Sequence, residues 1–195
     1  MKQCDSVPKM TDRKSSISLE LRVGELSRSE LLTALKESEV LLNASANVLL
    51  NSAAFDRQKL ESFHVLQLTV GQLGFDDGAT LPSIFAKAQE AGLSLCPSIT
   101  GPYLRLAMTS QAPAPDSVMS NGSAPSGSIT IASAPLRDDD DFPKGFYLRA
   151  VNDVLWLRGF LATERHIWSR NDCFAFKKKR ASFGKNRPLE PGAQD

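Results

Sequence analysis

The chain predicts an α+β domain, an antiparallel sheet of about five strands with two helical regions packed on one face. Three observations lead there. Gly145 to Phe160, GFYLRAVNDVLWLRGF, sets two alternating apolar runs on either side of Asn152-Asp153, a pair suited to a tight two-residue turn. Two stretches upstream, opening at Ser27 and Thr80, carry helix-start signals ahead of apolar residues at helical spacing. Further alternating runs follow the second helix and read as a run of antiparallel strands.

Residues 1–18 are polar and lack periodicity, so they read as a flexible tail ahead of a domain spanning 19–177. Ser27-Arg28-Ser29-Glu30 is a capping box, in which Ser27 and Glu30 can each satisfy a backbone N–H of the first turn. Leu31, Leu35, Leu42, Ala46 and Leu49 then recur at helical spacing to about residue 50, with a break near Asn43. This apolar stripe is suited to covering a sheet or, alternatively, to receiving a partner.

His64 to Val70 alternates as a strand, and Gly71 to Gly78 reads as a connection. Thr80 caps a second helix with Pro82 in its first turn, Ile84, Phe85, Ala88 and Leu93 on its apolar side, and Gly92 as its stop. Gly101-Pro102-Tyr103-Leu104-Arg105 repeats the G-x-Y-L-R pattern of Gly145 to Arg149, and is read as another strand. Residues 111–127, QAPAPDSVMSNGSAPSG, are expected to be a disordered insertion, because they hold too little apolar surface to order themselves. Ser128 to Pro135 resumes as a strand. Ile167-Trp168 and Cys173 to Phe176 suggest one more short edge strand, and 178–195 reads as a basic flexible tail.

If Asn152 and Asp153 form the turn, the hairpin register follows. Val151 then faces Val154, Ala150 faces Leu155, Arg149 faces Trp156, Leu148 faces Leu157 and Tyr147 faces Arg158. Alternation sends Phe146, Leu148, Ala150, Leu155 and Leu157 to a core. It sends Tyr147, Arg149, Val151, Val154, Trp156 and Arg158 to the other face.

Composition narrows the function classes. A 195-residue chain of formal net charge +1 has no global field that would mark it as a nucleic-acid or membrane binder. Cys4, Cys96 and Cys173 are odd in number and far apart, which argues against a disulfide framework and for a reducing compartment. The start carries no apolar signal segment, and no apolar run approaches a membrane span, so a cytoplasmic protein is expected.

Taken together, LGFDDGAT at 73–80, LSLCPSITGPYLRL at 93–106, the central hairpin and HIWSRNDCFAF at 166–176 resemble a small bacterial protein family. The resemblance covers about residues 64–177. It implies a helix leading into an antiparallel sheet that contains the GPxLRL and WLRG strands, and it brings no activity, ligand or catalytic residue.

The best candidate site is the aromatic and basic set Tyr103, Arg105, Tyr147, Arg149, Trp156 and Arg158, expected together on one sheet face. Rings can stack on bases or sugars while guanidinium groups meet phosphates or carboxylates, so the partner is protein or nucleic acid. Cross-strand cation–π pairs, Arg149 over Trp156 and Arg158 beside Tyr147, would justify the same residues without a partner, at about 0.5–1 kcal/mol each. The tail's Lys177, Lys178, Lys179, Arg180, Lys185 and Arg187 form a second, weaker candidate for phosphate contact.

The spacing of Asp138 to Asp141 is wrong for a calcium loop. No zinc, nucleotide or nucleophile-elbow motif occurs, and no cofactor or metal is expected. The reading is therefore a binding module rather than an enzyme. The alternative is a Cys/His-type enzyme site near His166, Asp172 and Cys173.

Overall fold

In a computed structural model, which describes residues 18–56, 59–114 and 124–178, the chain begins with a strand, β1 (Ser18–Val23). Leu19, Leu21 and Val23 alternate inward along it. Helix α1 (Arg28–Glu37) starts at Ser27 with the expected capping box, the Ser27 N–H donating to Glu30 and the Glu30 N–H to the Ser27 hydroxyl. The helical region then breaks as its pattern implies. A two-residue strand, β2 (Leu41–Leu42), intervenes before helix α2 (Ala44–Leu50), which Asn43 caps. Strand β3 (Glu61–Thr69) follows, then β4 (Ala79–Thr80) and helix α3 (Leu81–Glu90), with a proline in the first turn and Gly92 at φ +81° just past its end. Beyond them lie β5 (Leu93–Ser94), helix α4 (Thr100–Ala107), β6 (Ile129–Ile131), β7 (Gly145–Val151), β8 (Val154–Phe160), β9 (Ile167–Trp168) and β10 (Cys173–Lys178).

The central hairpin forms as the sequence implies. Asn152 and Asp153 both take left-handed backbone angles, φ 49° and 63°, and β7 pairs with β8 in the predicted register from Val151–Val154 to Tyr147–Arg158.

The sheet around that hairpin differs from the expected one. Among the described residues it has eight strands rather than about five, in the order β1-β3-β10-β6-β7-β8-β2 with β5 beside the end of β10. It is mixed rather than antiparallel, because β10 pairs with β6, and β2 with β8, in parallel. Two-residue strands such as β2 and β5 are too short to show an alternation, so neither could be read from the residue pattern. β4 and β9 pair separately. The predicted edge strand near the end is instead central: β10 lies between β3 and β6, and Phe174, Ala175 and Phe176 are fully buried. It also extends through Lys177 and Lys178, which the sequence reading placed among the tail's basic residues.

The second correction concerns Gly101 to Arg105, which is helix and not strand. Ile99, Tyr103 and Leu104 fall at helical spacing and pack into the same core. Gly101 is required where α4 presses on the sheet, since a Cβ there would lie 2.8 Å from the Phe146 ring. The repeated G-x-Y-L-R pattern thus occurs once as helix and once as strand, touching at Gly101 and Phe146.

The third correction is that the helices do not share one face. The sheet curls into a half-barrel. Helix α4 touches β1 near one edge and β7 and β8 near the other, so it fills the concave side. Helices α1 and α2 close that side through Leu31, Leu35, Leu49 and Leu50. On the opposite face Ile84 and Ala88 of α3 pack with Trp168, Phe174 and Phe176 in a second core.

Helix α2 docks on β8 through Asn43 and Gly159. The Asn43 Nδ2 donates to the Gly159 carbonyl at 2.9 Å, while its Oδ1 accepts the N–H of Gly159 at 2.8 Å and of Ala46 at 2.9 Å. One amide side chain therefore continues the strand ladder and caps the helix. The approach is so close that a Cβ on Gly159 would meet Ser45 and Ala46 atoms at 2.7–2.9 Å.

Candidate functional site

Both faces of the sheet are covered, and this divides the six aromatic and basic residues expected to lie together. Tyr103 is buried on α4, where its hydroxyl accepts the Leu26 N–H at 2.8 Å. Arg105, on the same helix, is fully buried. Its Nη1 donates to Gln111 Oε1 at 2.6 Å and to the Arg149 carbonyl at 3.4 Å, and its Nη2 to the Met108 carbonyl near the end of α4. Burial pulls this guanidinium down to about 10. Gln111 passes the network on, its Nε2 donating to the carbonyls of Gly127 at 2.7 Å and Leu148 at 3.3 Å.

Tyr147 is buried in the second core, and Arg149 is fully buried. The alternation placing Tyr147 and Arg149 away from Phe146 and Leu148 is present, but the face it predicts to be open is covered at β7. Trp156 and Arg158 remain partly exposed on β8. The cation–π stack forms between these two, with the Arg158 guanidinium 4.0 Å from the Trp156 ring centroid, rather than across the strands. Val154 precedes them on the same side of β8, and Leu41 of β2 lies in register with Trp156. Both are exposed, at 37% for Val154 and 45% for Leu41. What survives of the predicted face is thus Val154, Trp156 and Arg158, which Leu41 of β2, not foreseen there, extends into a strip at one margin of the sheet.

The His166, Asp172 and Cys173 region brings its residues near one another without assembling a nucleophile. His166 stands edge-on to Trp168, ring centroids 5.1 Å apart. Asp172 is buried, and its two oxygens accept the N–H of Ala124 at 3.2 Å and of Ser169 at 2.8 Å. Burial raises its carboxyl above the ordinary carboxylate value, against the pull of these two bonds and of His166. The Cys173 thiol is pushed up to about 11 by burial and by the adjacent Asp172. A catalytic thiol needs the opposite shift. Cys96 is buried and pushed up to about 12, its Sγ donating to the Ala175 carbonyl at 3.5 Å.

Sequence reasoning missed the cleft beside Asp172. It measures about 340 Å³ and lies between residues 124–128 and 169–173. Its walls are small and polar and far apart in sequence, so no local pattern announces them. The expected insertion is engaged at both ends: the Ala114 N–H donates to the Ala150 carbonyl, and Gly127 meets Gln111. Its middle, 115–123, lies outside the described residues, as do the tails 1–17 and 179–195 and with them Lys179, Arg180, Lys185 and Arg187.

Asp138 to Asp141 are exposed, and Asp140 pairs with Lys144 at 3.6 Å. Among the described residues no three His, Cys, Asp or Glu side chains converge as metal ligands, and no helix is long and apolar enough to cross a membrane. No family model, curated protein or solved structure matches the chain.

Proposed function

We propose that this chain is a small binding module that docks a protein segment on the strip formed by Leu41, Val154, Trp156 and Arg158. The observation that carries this reading is the half-exposed stack of Arg158 on Trp156, bordered by two exposed aliphatic side chains at the sheet margin. An aromatic ring and a guanidinium held together in advance lose little conformational freedom on binding, and tryptophan and arginine are the residue types that dominate interface energetics. The chemistry fits a partner segment that sets an apolar side chain against Leu41 and Val154 and a carboxylate near Arg158.

A nucleic-acid partner is less well supported. Of the three arginines proposed to meet phosphates, Arg105 and Arg149 are buried, and the whole chain carries a formal charge of only +1. The raised Cys173 thiol gives the enzyme alternative no support.

Placing glutamate at the two exposed aliphatic positions tests the reading without disturbing a core. L41E and V154E should each lower capture of the partner in a quantitative pull-down by about tenfold, with thermal midpoints close to that of the parent. Undiminished capture with both glutamates present would rule the strip out.

A further inference from the structure

The cleft beside Asp172 is separate from the β8 strip and has a chemistry of its own. Pro125 and Ser128 stand on one wall, Ser169, Asn171 and Cys173 on the other, and the Asp172 carboxylate bridges them by accepting Ala124 N–H from one side and Ser169 N–H from the other. Its volume of about 340 Å³ falls at the small end of the range for small-molecule sites, about 300–1,000 Å³. That is room for a compound the size of an amino alcohol, well beyond a single water.

Charge selects the class of ligand. Among the described residues that line the cleft, Asp172 carries the one formal charge, the other polar groups being hydroxyls, an amide and a thiol. Among the described residues each of its oxygens holds one hydrogen bond, whereas a carboxylate offers about four acceptor sites. Its ionised form is also under-compensated, since burial outweighs both bonds and the pull of His166 together in setting its proton affinity. An anion would face this carboxylate, and the two backbone donors nearest it are already engaged. No second acidic, histidine or cysteine ligand joins Asp172 in a metal-binding group of three among the described residues, which disfavours a resident hard cation. We infer that the cleft binds a small organic ammonium compound, its N–H groups donating to the Asp172 carboxylate between the two walls.

The test is titration of the full chain with ethanolamine, protonated near neutral pH, followed by amide chemical shifts. Its neutral counterpart N-(2-hydroxyethyl)acetamide serves as control. Saturable shifts are expected at Ser128, Ser169 and Asn171, with the neutral compound at least about tenfold weaker, as the loss of one charge-assisted hydrogen bond requires. Asp172→Asn should weaken ethanolamine by a similar factor. Asn171→Phe, at an exposed position on the wall, should block it sterically with the thermal midpoint unchanged, which keeps the test decisive if the Asp172 variant does not fold. Absence of saturation up to on the order of 100 mM would overturn the inference. So would equal binding of the neutral compound, or shifts no larger at the cleft than at Asp138 to Asp141.

Discussion

At the scale of single residues, burial controls the chemistry of this chain more than sequence neighbours do. Cys173 sits beside Asp172 and within seven positions of His166, an arrangement that in the open could be imagined as a nucleophile with its base. In the fold the thiol is half-buried and faces the Asp172 charge, and both effects disfavour the thiolate. Alkylation of Cys173 near neutral pH is therefore expected to run slower than that of a free cysteine; a faster rate would revive an enzymatic role. The same shift links stability to pH. A thiol with a folded value of about 11 against an ordinary 9.0 keeps its proton in the native state while the unfolded chain loses it. Its contribution is fully present below pH 9 and is lost as the pH rises from there through 11. Urea midpoints should fall across that window, and Cys173→Ala should make the fall shallower.

At the scale of elements, the two faces of the central hairpin illustrate what alternation does and does not convey. The turn chemistry of Asn152-Asp153 and the period of two set the register, pair by pair. Alternation separates two faces but does not say which is wet, because a parallel or mixed sheet can bury both. Phe174, Ala175 and Phe176 on β10 are another instance, with the phenylalanines in one core and the alanine in the other. The junction of α2 with β8 depends on one polar side chain. Asn43→Ala removes a helix cap and two bonds to the Gly159 backbone. It should cost about 2–3 kcal/mol, read as a shift in the denaturation midpoint, with far-UV helix content little changed. A loss below about 0.5 kcal/mol would mean that water replaces the side chain there.

At the scale of the whole molecule, helix α4 inside the half-barrel joins the elements, and Arg105 near its end ties it to the β7 backbone and to the loop at Gly127 through Gln111. Arg105→Met keeps most of the bulk and strands the carbonyls of Met108 and Arg149. A destabilisation of about 2–3 kcal/mol is expected, together with faster amide exchange in β7. Exchange unchanged in β7 would show that the network is not what couples the two. The capping box at Ser27, the break near Asn43, the α3 boundaries and the hairpin register are legible along the chain, because each rests on contacts between residues close in sequence. That Gly101 to Arg105 is a helix, that β10 is central, and that Tyr103, Arg105, Tyr147 and Arg149 are interior emerges from long-range packing alone. Those outcomes depend on which surfaces meet across long stretches of chain, as Gly101 meets Phe146 and Asn43 meets Gly159. A residue's own neighbours carry the period of its burial but not the identity of what covers it.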